Sequence, residues 1–217
     1  FFLAENVRGM LLPRNRPALE LIISQFESAG YNVSYGLLDA HDYGVPQNRL
    51  RIIVVGYHKS LEMTYKFPDK AKNKPVLRDA LEGLPKPKIA LEKNRAHNQT
   101  GLPAPNHEVM HGNFSSIYMS RNRVRSWSEP SFTIQAGGRH APIHPQAPKM
   151  LPVEKDVKKF VEGSEHLYRR LSVRECARVQ TFPDNFIFKY EKIAAGYKMI
   201  GNAVPVEFAR RLAVQIY

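Results

Sequence analysis

The chain is poor in several things. Its 217 residues include one cysteine and one tryptophan, and only 20 acidic residues stand against 32 lysines and arginines. A single thiol, Cys176, excludes an internal disulfide framework and a cysteine-rich zinc site, suits a reducing compartment, and leaves no metal site to be read. The opening "FFLA" is only a short apolar run with no basic leader, so neither a signal peptide nor a membrane span is read there. No internal repeat or long low-complexity tract occurs, which excludes solenoid and fibrous classes.

What is present is a globular chain, 43% hydrophobic, with a formal net charge of +12. That charge favours a polyanionic partner without deciding one. Its distribution is uneven: residues 1–84 carry +2, residues 85–170 carry +7 and residues 171–217 carry +3. The middle third is the basic face.

The pattern begins with a short apolar strand ending at Glu5-Asn6-Val7, where the carboxylate is either a solvated loop residue or a group at a cleft. "RPALELIISQFESAGY" places Leu19, Ile22, Ile23 and Phe26 at helical spacing, with Pro17 near the start and Gly30 as the stop. Val33, Tyr35 and Leu37 then alternate as in a strand, and "LRIIVVGY" reads as a buried one. Strand, helix and two further strands give part of an α/β sheet over residues 1–84. Residues 85–165 change texture to Pro, Gly, His, Asn and Arg, so a smaller loop-rich domain is expected there. Helix returns over 166–217. Ser172 and Glu175 form a capping box with Leu171 and Cys176 as a hydrophobic staple. In "GNAVPVEFARRLAVQIY" the expected buried stripe is Val206, Ala209, Ala213 and Ile216, with Asn202 as N-cap and Pro205 in the first turn.

Four clusters can carry chemistry, and each has a plain structural alternative. Gln47, Arg49 and Arg51 alternate, so in an extended segment they share one side, where they would grip an anion or a base edge, or lie solvated on a sheet edge. In "SFTIQAGGRHAPIHP" the Gly137-Gly138-Arg139 step suits close backbone approach to another molecule, or a plain hairpin. Glu5-Asn6 and "GNAVP" complete the set.

The order of these clusters closely resembles the C-terminal half of DNA (cytosine-5) methyltransferases. Glu-Asn-Val, Gln-x-Arg-x-Arg, a basic variable region, "RECARVQTFPDNF" and "GNAVP" follow one another as in that family, across the whole chain. The resemblance implies a partial Rossmann-like S-adenosylmethionine-dependent methyltransferase sheet with a target recognition domain over 85–165. It also implies a cytosine flipped out of duplex DNA, because its ring cannot be attacked while stacked. By this resemblance Glu5 is the carboxyl at ring N3, Asn6 orients its loop, and Arg51 with Arg49 holds the O2 edge. Asn202 and Ala203 match the contact positions for S-adenosyl-L-methionine. Thr133 with Ile134 fits the family's short Thr-apolar signature, Gln135, Gly137, Gly138 and Arg139 follow as the base-reading stretch, and Arg123 and Arg125 are expected on phosphates. The family's Pro-Cys nucleophile and Gly-rich cofactor loop lie upstream of Glu-Asn-Val, and neither occurs here. The expectation is therefore a fragment, inactive alone, whose partners are double-stranded DNA and an N-terminal catalytic half. A compact basic insert suggests a restriction-modification enzyme in the bacterial cytoplasm, associated with the nucleoid. The alternatives are a non-catalytic DNA-binding subunit that delivers a partner, and an RNA-directed relative.

Overall fold

A row of apolar residues that is buried on both sides becomes the middle strand of a sheet, and this explains the first third of the molecule. In the computed structural model, which describes residues 1–97 and 101–216, β1 (Phe2–Val7), α1 (Arg16–Ser28), β2 (Tyr31–Asp39) and β3 (Leu50–His58) form one unit. The sheet order is β1-β3-β2 and both pairings are antiparallel, with Val7 opposite Arg51 and Leu38 opposite Arg51 on the other side. Alternate residues of β3 face opposite layers. Ile52 and Val54 pack with Leu19 and Ile23 of α1, whereas Ile53, Val55 and Tyr57 pack against a C-terminal helix. Gly30, at φ 90°, makes the left-handed turn that stops α1 and starts β2.

The expected face of α1 is only partly used. Leu19 is buried and Phe26 stacks on Phe2 at 4.1 Å, but Ile22 is exposed, as are Tyr35 and Leu37 of β2. The alternation in β2 is therefore present, with its outer side uncovered.

Beyond the sheet, α2 (Leu77–Leu81) precedes a loop-rich region holding two small ribbons, β4 (Lys88–Ile89) with β5 (Glu108–Val109) and β6 (Leu151–Glu154) with β7 (Val157–Lys159). Its own core gathers Tyr118, Val124, Ile143, Ala147, Met150 and Tyr168. The chain then returns in α3 (Val173–Val179), α4 (Ile193–Asn202) and α5 (Val206–Val214). The capping box forms as expected: Glu175 N–H donates to Ser172 Oγ at 3.0 Å and Ser172 N–H donates to Glu175 Oε2 at 2.7 Å. Leu171 and Cys176 lie in one apolar cluster with Leu77, Ile134, Ile200 and Tyr197, so α2, the insert and the returning helices share a core.

Two expectations at the C-terminus are corrected. Asn202 does not cap the last helix but is the final residue of α4, a helix not anticipated from the sequence, and Pro205 is the residue that caps α5. The buried stripe of α5 is Phe208 and Leu212, with Ile216 beyond it, while Ala209 and Ala213 face out. An aromatic and a leucine offer more apolar area than two alanines, and that difference sets the helix rotation.

Candidate functional site

Glu5 and Arg51 sit on neighbouring strands, on the face of the sheet that also carries Ile53. Because Glu5 is opposite Ile53 and Arg51 is opposite Val7, the two side chains lie diagonally across the pair. Arg51 Nε stands 2.6 Å from Glu5 Oε1, with side-chain exposures of 14% and 21%. The charges are in contact and remain reachable from outside. Arg51 also donates from its Nη1 to the carbonyl of Leu50, which fixes one terminal nitrogen of the guanidinium. Asn6 is exposed, and its Oδ1 accepts from the Val7 N–H at 2.8 Å, so it shapes the end of the strand.

Arg49 has a different place from the one expected. It is 2% exposed, and its guanidinium donates to the carbonyls of Ile134 (3.0 Å), Gly201 (3.0 Å) and Ala203 (3.1 Å). Burial pulls its pKa down to about 10, with Arg51 adding to the effect. Its two terminal nitrogens are therefore engaged with the protein, and it ties together the three segments that flank the site. Gln47 does similar work: Ile134 N–H donates to its Oε1 at 2.7 Å, and its amide donates to Gln180 Oε1 at 3.0 Å. Gln180 in turn donates to the Ile200 carbonyl at 2.9 Å. Thr133 Oγ1 donates to the Asn48 carbonyl at 2.6 Å, so Thr133 and Ile134 dock the insert onto the loop before β3. Sequence reasoning missed the buried roles of Gln47 and Gln180. Two glutamines at motif positions were the only available signal.

Gly201 completes the joint. A Cβ there would lie 2.3 Å from the carbonyl of Gln135 and 2.4 Å from the Ala136 nitrogen, so only glycine lets α4 meet this backbone. Asn202, beside it, is exposed.

On the basic face, Arg139 and Gln135 are exposed, whereas Gly138 is buried, and a Cβ on Gly138 would meet the Tyr197 ring at 2.6 Å. The glycine at 138 therefore answers to internal packing. Gly137 is extended and open. Arg123 and Arg125 are half-buried: Arg123 donates to the Tyr118 carbonyl and lies 4.9 Å from its ring, and Arg125 pairs with Glu129 at 3.0 Å and stacks over Phe132. Arg121 is the exposed arginine of the "SRNRVRSW" run, and with Arg123, Thr133 and Gln135 it lines a cavity of about 240 Å³.

A buried ionic group lies under this face. Arg169 makes two 2.7 Å bonds to Glu175, which is 1% exposed, and His144 Nε2 stands 3.6 Å from the same carboxylate. Burial works to raise the Glu175 pKa, but Arg169 outweighs it and the carboxyl stays below its usual value. Burial likewise pulls His144 down to about 4. The Cys176 thiol is fully buried and pushed up by that burial, so it is an inert core group. Among the described residues no group of His, Cys, Asp and Glu is arranged to hold a metal, and no helix is long and apolar enough to cross a membrane.

The family model for C-5 cytosine-specific DNA methylases matches residues 1–217. The chain is 56% identical over 216 residues to the type II methyltransferase M.MthTI of Methanothermobacter thermautotrophicus, covering 100% of this chain and 65% of that protein. It is 48% identical over 219 residues to the type II methyltransferase M.FnuDI of Fusobacterium nucleatum, covering 100% of this chain and 64% of that one. The chain thus spans about two thirds of the length of these relatives. Its fold is similar to that of the S. pombe Dnmt2 methyltransferase, with a TM-score of 0.58 at 14% identity over 99% of this chain and 64% of that structure.

Proposed function

Because the chain belongs to the C-5 cytosine-specific DNA methylase family, we propose that it forms the recognition lobe and second catalytic half of a DNA (cytosine-5) methyltransferase of a restriction-modification system. The complete enzyme transfers a methyl group from S-adenosylmethionine to C5 of a cytosine everted from a specific duplex site. The observation that carries this reading is the Glu5–Arg51 pair, 2.6 Å apart and part-exposed where β1 ends beside the start of β3. A carboxyl and a guanidinium side by side match the N3 and O2 edge of a cytosine. The carboxyl shares a proton with N3 while negative charge develops in the ring, and the guanidinium supplies fixed donors to O2. Arg49, two residues before Arg51, ties this end of β3 to the returning segment by holding the Gly201 and Ala203 carbonyls.

The thiolate that adds to ring C6 comes from outside these 217 residues, since the sole cysteine is buried in α3. An N-terminal half supplies it; Leu3 and Val7 of β1 are uncovered on the Ile53 face of the sheet and Tyr35 and Leu37 of β2 on the α1 face, so both faces keep apolar surface for further chain to cover. S-adenosylmethionine, when bound, supplies the methyl electrophile. This chain offers it the exposed Asn202 amide, on a turn whose Ala203 carbonyl is fixed by Arg49, and that polar, preset turn fits such a ligand. Arg139 reads a base edge on double-stranded DNA, and Arg121 and Gln135 line the small cavity on the other side of His140. Action in the bacterial cytoplasm at the nucleoid follows from that substrate. Replacing Glu5 by Gln in the complete polypeptide tests the assignment: methyl transfer to a DNA duplex slows at least 100-fold while duplex binding is kept. Unchanged turnover overturns it.

A further inference from the structure

A cavity of about 700 Å³ opens beside Arg139, bounded by the 110–117 segment, the Gly138–His140 turn and the start of α4. Its lining includes Lys93, Arg139, Arg170 and Lys192 and contains no carboxylate. None of these four cations has an ion-pair partner within 4.0 Å among the described residues, although the chain forms such pairs in many other places.

Arg170 is the most telling of them. It is 5% exposed, donates to the Gly112 carbonyl at 3.1 Å and the Asn113 carbonyl at 3.0 Å, and lies 4.3 Å from the Phe114 ring. Its Nε is buried without an acceptor among the described residues. A buried guanidinium facing only carbonyls and rings is held at a cost that an anion relieves. Burial and the nearby Arg139 charge both disfavour its cationic form.

The surrounding backbone is arranged around the same opening. Lys93 and Asn94 both take left-handed φ, 56° and 55°, and for a lysine that is a strained position. Asn94 fastens the turn to the opposite wall, donating to the His111 carbonyl at 3.1 Å and accepting from the His111 N–H at 2.7 Å. Arg95 bridges to Lys192, which sets the two lysines on adjoining segments. Lys192 is also the residue before the ten-residue α4, whose first turn has no side-chain cap, and Ala194 of that turn lines the cavity. An uncapped helix start presents free N–H groups and a partial positive charge.

From these observations we infer that the cleft is a phosphodiester subsite: it seats one backbone phosphate of the bound DNA between Lys93, Lys192 and the start of α4, with Arg170 as its floor. This rests on the DNA-binding part of the reading above and adds a sequence-independent anchor next to Arg139, so that the base-reading arginine is set in register by its neighbour.

Salt-dependent binding tests it without recourse to methyl transfer. Anisotropy titrations of the complete polypeptide with a mixed-sequence duplex give log Kd against log salt. The Lys93→Gln/Lys192→Gln variant, both sites being exposed, lowers the slope by about 0.9, a sensitivity about three- to fourfold smaller between roughly 50 and 200 mM salt. Arginine at both positions restores it. A Lys59→Gln/Lys66→Gln control, with the same loss of charge on exposed residues elsewhere, keeps the parent slope. A cleft variant with the parent slope, or a control that loses as much, overturns the subsite. If the parent polypeptide transfers no methyl group while the cleft variant still lowers the slope as expected, the catalytic reading alone fails and the subsite stands.

Discussion

Replacing Arg49 by Met separates a holding role from a catalytic one. In the folded protein this guanidinium satisfies the carbonyls of Ile134, Gly201 and Ala203. A methionine keeps the stem and removes every donor. A buried acceptor left without a partner costs about 1–3 kcal/mol, and relief from burying a cation offsets part of that sum. The expected net loss is about 3 kcal/mol, which for a domain of this size lowers the melting temperature by about 6–12 °C. Arg51→Met, by contrast, removes one ion pair that keeps some exposure and leaves fewer backbone acceptors unpaired, so it should cost less than Arg49→Met. Calorimetry of the two variants in the complete polypeptide, followed by methyl-transfer rates at a temperature where both are folded, gives the comparison. Arg49→Met should be the less stable and Arg51→Met the slower. If Arg49→Met melts within about 2 °C of the parent while Arg51→Met melts far lower, the assignment of Arg49 as the brace is refuted.

Other outcomes follow from the same structure. Gly201→Ala drives a methyl into the Gln135–Ala136 backbone and should lower the melting temperature by several degrees, with retained stability showing that α4 can shift. Arg139→Ala should flatten discrimination between the methylation site and near-cognate duplexes by about 1–3 kcal/mol in competitive binding, whereas an equal loss on every sequence would make it a phosphate contact. Because His144 stays neutral in the fold down to about 4 while an unfolded histidine protonates near 6.5, the unfolded chain binds more protons in that window, and stability falls as pH drops through it. Urea midpoints from pH 7 to 4, read by the fluorescence of Trp127 against which His144 packs edge-on, should decline less steeply in His144→Gln.

Local signals in the sequence translated well into structure. The Ser172–Glu175 box, the stop at Gly30 and the doubly buried run of β3 were legible because each depends on residues a few positions apart. Glu5 and Arg51 were legible as candidates through their motifs, and their 2.6 Å contact joins them. Arg49 was not, since an alternating Gln-x-Arg-x-Arg cannot reveal that one arginine meets carbonyls supplied from positions 134, 201 and 203. The helix α4 was not anticipated either, and its glycines at 196 and 201 are each required by a close neighbour from a distant segment or loop, the Tyr190 ring and the Gln135 backbone. The stripe on α5 was misread because alanines share a helical period with larger residues without competing for the core.

The brace at Arg49 also bears on how the molecule assembles. Its acceptors are 85, 152 and 154 positions further along the chain, so closing these contacts requires most of the polypeptide to be in place. Any intermediate that lacks either end leaves a guanidinium without its carbonyls, and long-range closure of this kind is slow. The insert and the returning helices are therefore expected to lock onto the sheet in one late step, which refolding of Arg49→Met followed beside the parent would show as a slower final phase.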